Sequence, residues 1–169
     1  NGNVLIDASL PRALADTDGH AIATTTVEDP SSYGIVSVHD DGDLDAAVER
    51  PSDPPTNLAN VGCYAFESEV FDHIDRTAES ERGEFEITET LADLLADDRA
   101  ISAVEYDGRW LDVGRPWELL RANELLVARV KHTVEGSVAA GATIAGDVVV
   151  EAGATVRDGV TIEGPAVVQ

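Results

Sequence analysis

The sequence predicts an α/β domain followed by a β-helix. Three observations carry that reading. From residue 4 to residue 112, short β-branched or alternating segments take turns with amphipathic ones. From residue 133 to residue 168, an aliphatic side chain recurs every six positions. Between the two regimes stands Arg109-Trp110-Leu111-Asp112-Val113-Gly114-Arg115-Pro116-Trp117, where a buried strand ends on an acid and a helix begins.

In order, residues 1–7 read as a tight turn feeding a short strand. Residues 10–16 read as a short helix, with Ser9 as its cap and Pro11 in its first turn. The β-branched run 21–27 reads as a buried strand, and 28–34 as a loop. Val36 and Val38 alternate with polar neighbours, as do Leu44, Ala46 and Val48, and Asp41-Gly42 lies between the two runs. That pattern is a hairpin with an Asp-Gly turn. Residues 51–55 form a Pro-rich loop, and 60–66 a strand. Ser68 caps a helix to Ile74 with Val70, Phe71 and Ile74 on one face. After a polar loop to Glu86, Thr88 can cap a helix carrying Leu91, Leu94 and Leu95 at i, i+3, i+4. Residues 101–106 make a strand and Asp107-Gly108 a turn. Residues 116–130 make a helix with Pro116 in its first turn and a stripe of Leu119, Ala122, Leu126 and Val130. Lys131 and His132 follow, where positive charge suits a helix C-terminus.

The tail divides into TVEGSV, AAGATI, AGDVVV, EAGATV, RDGVTI and EGPAVV. Each hexad ends on an aliphatic residue: Val138, Ile144, Val150, Val156, Ile162, Val168. Two positions earlier sits a small or modest one: Gly136, Ala142, Val148, Ala154, Val160, Ala166. Ordinary strand alternation does not hold a period of six, so each repeat stacks on its neighbours to bury one apolar column. If three hexads make a turn, the tail holds about two coils.

The net charge is −22, with 33 acids against a single lysine, Lys131. Such charge belongs either to a disordered chain or to a folded one adapted to molar salt. An apolar content of 43 % in clear patterns favours the second. The charge argues against nucleic acid and against an anionic membrane as partners. No apolar run reaches the ~18 residues of a membrane span. The lone Cys63 forms no internal disulfide and fits a reducing cytoplasm. The chain has no methionine and ends in mid-pattern, so further sequence is expected at both ends.

An acid at the C-terminal end of a strand, as at Asp112, stands where open α/β sheets place ligands. It can hold a metal or a polar ligand, or it can simply cap the next turn. Its neighbours decide between these. Asn1-Gly2-Asn3, Tyr33-Gly34, Val48-Glu49-Arg50-Pro51, Asn60-Val61-Gly62-Cys63-Tyr64, Gly83-Glu84-Phe85-Glu86-Ile87-Thr88 and Trp110-Leu111-Asp112-Val113-Gly114, in this order and spacing, resemble the sugar-1-phosphate nucleotidyltransferases. The likeness is to the glucose-1-phosphate thymidylyltransferase or uridylyltransferase type with a C-terminal hexapeptide-repeat β-helix. The single-lysine acidity is similar to that of haloarchaeal proteins. The resemblance implies the C-terminal half of a Rossmann-like (GT-A-like) domain over 1–115, a connecting helix over 116–132, and the start of a left-handed β-helix over 133–169. The Gly-rich nucleotide loop of the family would lie upstream of Asn1.

The implied reaction joins an NTP, dTTP or UTP, to a sugar 1-phosphate, giving NDP-sugar and pyrophosphate. Both reactants are anions, so charge neutralisation and alignment matter more than a general base. By resemblance Asp112 is the catalytic Mg2+ ligand. Asn3 stands where relatives carry a second acidic ligand; it is either a weakened metal site or a compensated substitution. Glu49 matches the sugar-hydroxyl ligand, and Arg50 occupies the place of a phosphate-binding lysine. Gly34 and Gly62 would let the backbone approach the sugar, and Asn60 can donate and accept to its hydroxyls. Tyr64 and Trp110 read as packing residues, and Glu86-Ile87-Thr88 as architectural. The expected partners are a sugar 1-phosphate, an NTP and further copies of the chain, as a trimer through the β-helix.

Two other functions compete. One is acyl transfer by the β-helix, which usually wants a histidine base among the coils; His132 only precedes them, and His20, His39 and His73 are isolated. The other is a non-catalytic role in sugar-phosphate binding or assembly, consistent with Asn3.

Overall fold

The computed structural model describes residues 3–80 and 82–169; the turn expected at Asn1 and Gly2 lies outside them. The chain forms two compact units, Asn1–Trp110 and Leu111–Gln169. In chain order the first carries β1 (Val4–Ile6), α1 (Ser9–Ala15), β2 (His20–Thr26), β3 (Gly34–Val38), β4 (Leu44–Glu49), β5 (Leu58–Ala65), α2 (Val70–Arg76), α3 (Ile87–Ala96) and β6 (Ile101–Glu105). β1 pairs with β7 (Trp110–Asp112), whose first residue closes this unit.

Five strands make one mixed sheet in the order β4-β3-β5-β2-β6. β2 runs parallel to β6 and antiparallel to β5, and β3 runs antiparallel to β4 and β5. Successive side chains of a strand point to opposite faces, and β2 buries both. Ile22 joins Val36, Leu44, Val70, Leu91, Leu94 and Ile101 on one side. Ala21 and Ala23 join Leu10, Leu14, Val61 and Tyr106 on the other. Small residues on the second side leave room for α1. The β3–β4 hairpin turns at Gly42, whose φ of 93° suits glycine.

The helix starts differ from the sequence reading. Ser9 lies inside α1 and the cap position is Ala8. Glu69, not Ser68, precedes α2, and Glu86, not Thr88, precedes α3; neither side chain makes a capping bond. Thr88 is instead drawn inward and buried. α2 turns Val70 and His73 to the core and leaves Phe71 66 % exposed. An ionic brace fixes that rotation. His73 Nδ1 lies 2.8 Å from Asp93 Oδ2 of α3, and Arg76 Nε donates to the same oxygen at 2.6 Å.

His20 is also buried. Its Nδ1 accepts from the Glu67 N–H at 3.3 Å, so Nε2–H donates to Glu69 Oε1 at 3.0 Å. At the far end of the unit, the Tyr106 hydroxyl donates to the Arg109 carbonyl at 2.9 Å and accepts from the Asp7 N–H at 3.0 Å. Gly108 permits this, because a Cβ there would lie 2.4 Å from the Tyr106 ring.

The second unit holds α4 (Pro116–Val127) and the short strands β8 (Thr133–Val134), β9 (Ser137–Val138), β10 (Thr143–Ala145), β11 (Val148–Val150), β12 (Thr155–Val156), β13 (Thr161–Glu163) and β14 (Ala166–Val168). α4 ends three residues short of the expected Val130, and of its stripe only Ala122 is buried. Leu119 and Leu126 are exposed. Three pairs of strands run parallel with a shift of 18 residues, Thr143 with Thr161, Val148 with Ala166 and Ser137 with Thr155, and a fourth, Val149 with Thr133, with a shift of 16. Three hexads therefore make one repeat of the stacking. Val148, Val150, Ala154 and Val156 form its buried column, with Ala142, Ile144, Ile162, Ala166 and Val168 packed against them.

Candidate functional site

Four predicted or neighbouring residues meet at the end of the β3–β4 hairpin. Gly34 opens β3 and Glu49 closes β4, and the two are directly paired. A Cβ on Gly34 would lie 2.9 Å from Glu49 Oε2, 3.5 Å from Thr88 Cγ2 and 3.7 Å from Asn60 Cβ. The missing side chain thus leaves room that the Glu49 carboxylate takes up, with the Thr88 methyl and the Asn60 Cβ beside it. The Glu49 carboxylate and the Asn60 amide suit the hydroxyls of a sugar.

Burial raises the Glu49 carboxyl above its usual range; Glu86 adds to this, while Arg50 and Arg82 oppose it. Arg50 Nε lies 3.6 Å from Glu49 Oε1 on a largely exposed side chain. Its backbone has φ 41°, unusual for arginine, and its N–H donates to the Tyr33 carbonyl at 3.1 Å. Asn60 is already partly engaged. Its Oδ1 accepts from the Gly62 N–H at 2.8 Å, and its Nδ2 donates to the Tyr64 hydroxyl at 2.7 Å. One amide hydrogen and one lone pair remain for a ligand. Desolvation pushes the Tyr64 phenol up to about 12, so it stays neutral.

Two residues that the sequence reading took as architectural, Glu86 and Thr88, lie beside Glu49 and Gly34. Thr88 is 1 % exposed and its hydroxyl has no hydrogen-bond partner among the described residues. Glu86 Oε1 is buried without a hydrogen bond too, although Arg82 Nη1 stands 3.3 Å away. An unpartnered buried hydroxyl costs about 1–3 kcal/mol.

Gly62, with φ 83°, lies on the α1 side of β5. With Pro11, Leu14, Cys63 and Tyr64 it lines a separate cavity of about 420 Å³. Trp110 packs as expected: its Nε1–H donates to the Val61 carbonyl at 3.2 Å, and its ring tilts against Tyr33.

In the second unit, Asp112 is the last residue of β7. The backbone N–H groups of Gly114 and Arg115 both donate to Glu118 Oε2, at 2.9 and 2.7 Å. Glu118 thus caps that turn. Asn3 is exposed and directly precedes β1. Among the described residues no three His, Cys, Asp or Glu side chains converge as a metal centre. The Asp112 carboxylate is a hard oxygen donor of the kind that fits Mg2+, which takes one or two carboxylates and fills its shell from phosphates and water.

The chain is 32 % identical over 151 residues to the Bifunctional protein GlmU of Methanococcus aeolicus, an overlap of 89 % of this chain and 36 % of that protein. It is 40 % identical over 130 residues to the low-salt glycan biosynthesis nucleotidyltransferase Agl11 of Haloferax volcanii, covering 77 % of this chain and 36 % of that one. It thus spans little more than a third of these relatives. A structure described as a glucose-1-phosphate thymidylyltransferase from Bacillus anthracis superposes with a TM-score of 0.60 at 26 % identity, over 73 % of this chain and 51 % of its own. A UDP-glucose pyrophosphorylase bound to UDP-glucose superposes with a TM-score of 0.64 at 22 % identity, over 75 % and 54 %, and supports the fold alone. Residues 1–129 match the Nucleotidyl transferase family, and the chain belongs to it.

Proposed function

We propose that this chain is the sugar-phosphate-binding part of a sugar-1-phosphate nucleotidyltransferase. A phosphate oxygen of the sugar 1-phosphate attacks the α-phosphorus of dTTP or UTP. The bond to the pyrophosphate leaving group breaks, and an NDP-sugar results. The observation that carries this reading is the meeting of Glu49, Asn60 and Thr88 around Gly34. Glu49 and Asn60 orient the sugar, and Arg50 neutralises its phosphate. Gly62, expected from the sequence to approach the sugar, instead gives its N–H to Asn60 Oδ1 and so orients that amide. Asp112, with the weaker Asn3, would hold Mg2+, which when bound draws charge off the phosphates.

We further read 1–115 as part of the catalytic domain, 116–132 as a connecting helix, and 133–169 as a left-handed β-helix through which copies assemble, as a trimer. The 18-residue parallel pairing supports the last point. The acidic surface and lone cysteine support a cytoplasm rich in salt. Acyl transfer ranks lower, since residues 133–169 contain no histidine.

Pyrophosphate release by the full-length protein, with Mg2+, sugar 1-phosphate and each NTP, tests the activity. The 169-residue chain alone is expected to bind sugar 1-phosphate without turnover. Full-length protein that binds no sugar 1-phosphate would sink the reading.

A further inference from the structure

The cavity between α1 and the C-terminal half of β5 plays no part in the chemistry above. Its volume of about 420 Å³ falls within the range of about 300–1,000 Å³ typical of small-molecule sites. Pro11, Leu14 and Ala15 of α1 line one side, and Gly62, Cys63 and Ala65 of β5 the other. None of the residues lining it carries a charge. An anion such as a nucleotide would find no cation there, in a chain whose net charge is −22. The Cys63 thiol is neutral too, because burial pushes it above its ordinary range. Such walls suit an uncharged, mostly apolar molecule.

The strand behind this cavity leaves its ladder at the same point. Asn60 of β5 pairs with Thr24 of β2, and Tyr64 pairs with Ile22, so four steps along β5 face two along β2. Gly62, with φ 83°, stands in the middle of the resulting bulge. Bulges re-aim side chains and are common beside active sites. Here the Gly62 N–H donates to Asn60 Oδ1 at 2.8 Å, and the Tyr64 hydroxyl accepts from Asn60 Nδ2 at 2.7 Å. Both residues that aim the Asn60 amide therefore line the cavity as well.

We propose that this cavity is an effector site for a small, neutral, apolar molecule, whose binding moves the Gly62 bulge, turns the Asn60 amide and so weakens the hold on sugar 1-phosphate. The coupling rests on the reading of Asn60 as a sugar ligand; the cavity does not. Coupling between two binding sites is reciprocal, so bound sugar 1-phosphate weakens the effector by the same factor.

The test uses the full-length protein and indole as the probe. Ligand-detected NMR reads indole binding, and calorimetry reads sugar 1-phosphate affinity with and without indole. Wild type is expected to bind indole and, at saturation, to lose about fivefold in sugar 1-phosphate affinity, the low end of usual couplings. Ala15→Phe, at an exposed position of α1, puts a ring over the cavity and is expected to abolish indole binding. Thermal unfolding checks that this variant folds. Independently of any variant, indole should slow the alkylation of Cys63 by N-ethylmaleimide, followed by mass spectrometry of the peptide that carries it. Failure of wild type to bind indole, equal binding by Ala15→Phe, or unchanged alkylation of Cys63 would overturn the site. Indole held in the cavity with no change in sugar 1-phosphate affinity would overturn the coupling. A wild type that binds indole as expected but no sugar 1-phosphate would instead overturn the reading of Asn60 as a sugar ligand.

Discussion

Glu49 occupies the space that a side chain on Gly34 would need. The two face each other across the β3–β4 pair, and a Cβ at 34 would stand 2.9 Å from Glu49 Oε2. Glycine is required here by a neighbour and not by backbone angle, since Gly34 is absent from the positive-φ positions.

Gly34→Ala is therefore expected to displace the Glu49 carboxylate while leaving the hairpin intact. Sugar 1-phosphate affinity of the full-length protein should fall about tenfold, equivalent to about 1.4 kcal/mol. The unfolding temperature should barely change. Unaltered affinity would show that the sugar does not lie beside Gly34 and Glu49.

Glu49 itself links function to stability with opposite signs. Its carboxyl is raised above the usual 4.5, chiefly by burial and next by Glu86. An acid with a raised folded-state pKa binds its proton more tightly when folded, so ionising it weakens the fold. That penalty is absent below 4.5, grows as pH rises, and is complete above the raised value. Glu49→Gln should thus unfold at higher temperature than wild type near neutral pH, with the difference vanishing in acid. Its sugar-phosphate affinity should drop at the same time. Thermal scans at a series of pH values give the first result, and calorimetry the second.

Thr88→Val removes a buried hydroxyl that has no partner among the described residues. A stability gain of about 1 kcal/mol is expected in urea unfolding, since the desolvation cost disappears. Sugar 1-phosphate affinity should weaken by about 1 kcal/mol, the value of one hydrogen bond. Destabilisation would mean that the hydroxyl is satisfied in solution.

In the second unit, a Cβ on Gly136 would come within 2.5 Å of the carbonyl oxygens of both Ala154 and Glu151. These are backbone atoms of the neighbouring layer and cannot swing away. Gly136→Ala should cost about 1–3 kcal/mol, the range for overpacking. Gly153→Ala meets nothing within 4 Å and is strained only by its φ of 91°, so about 1–2 kcal/mol or less is expected. Comparing the two unfolding midpoints separates layer contact from backbone angle.

The charge of −22 gives a last expectation. Raising salt from about 0.1 M to 1 M shortens the screening length from about 10 Å to 3 Å. The unfolding temperature should climb steadily over that range in KCl. A flat response would remove the argument for adaptation to salt.

Most strands were legible in the sequence because burial leaves a period. Ile22 against Ala21 and Ala23, and Val148 against Val150, show it directly. Helix starts were less legible. Ser9, Ser68 and Thr88 have the chemistry of caps, but none stands at the cap position, and Thr88 is buried instead. The buried face of α2 could not be read because His73 carries no hydrophobic signal; only its partner Asp93, twenty residues on, turns it inward. For the same reason the placement of Thr88 was not legible: it meets Gly34, far earlier in the chain, and no local pattern records that meeting.

The 18-residue pairing limits how the second unit can change length. On the β-helix reading proposed above, removing 18 residues takes out one layer, whereas removing six moves each later strand to a different side of the stack, so the unit's length is in effect quantised.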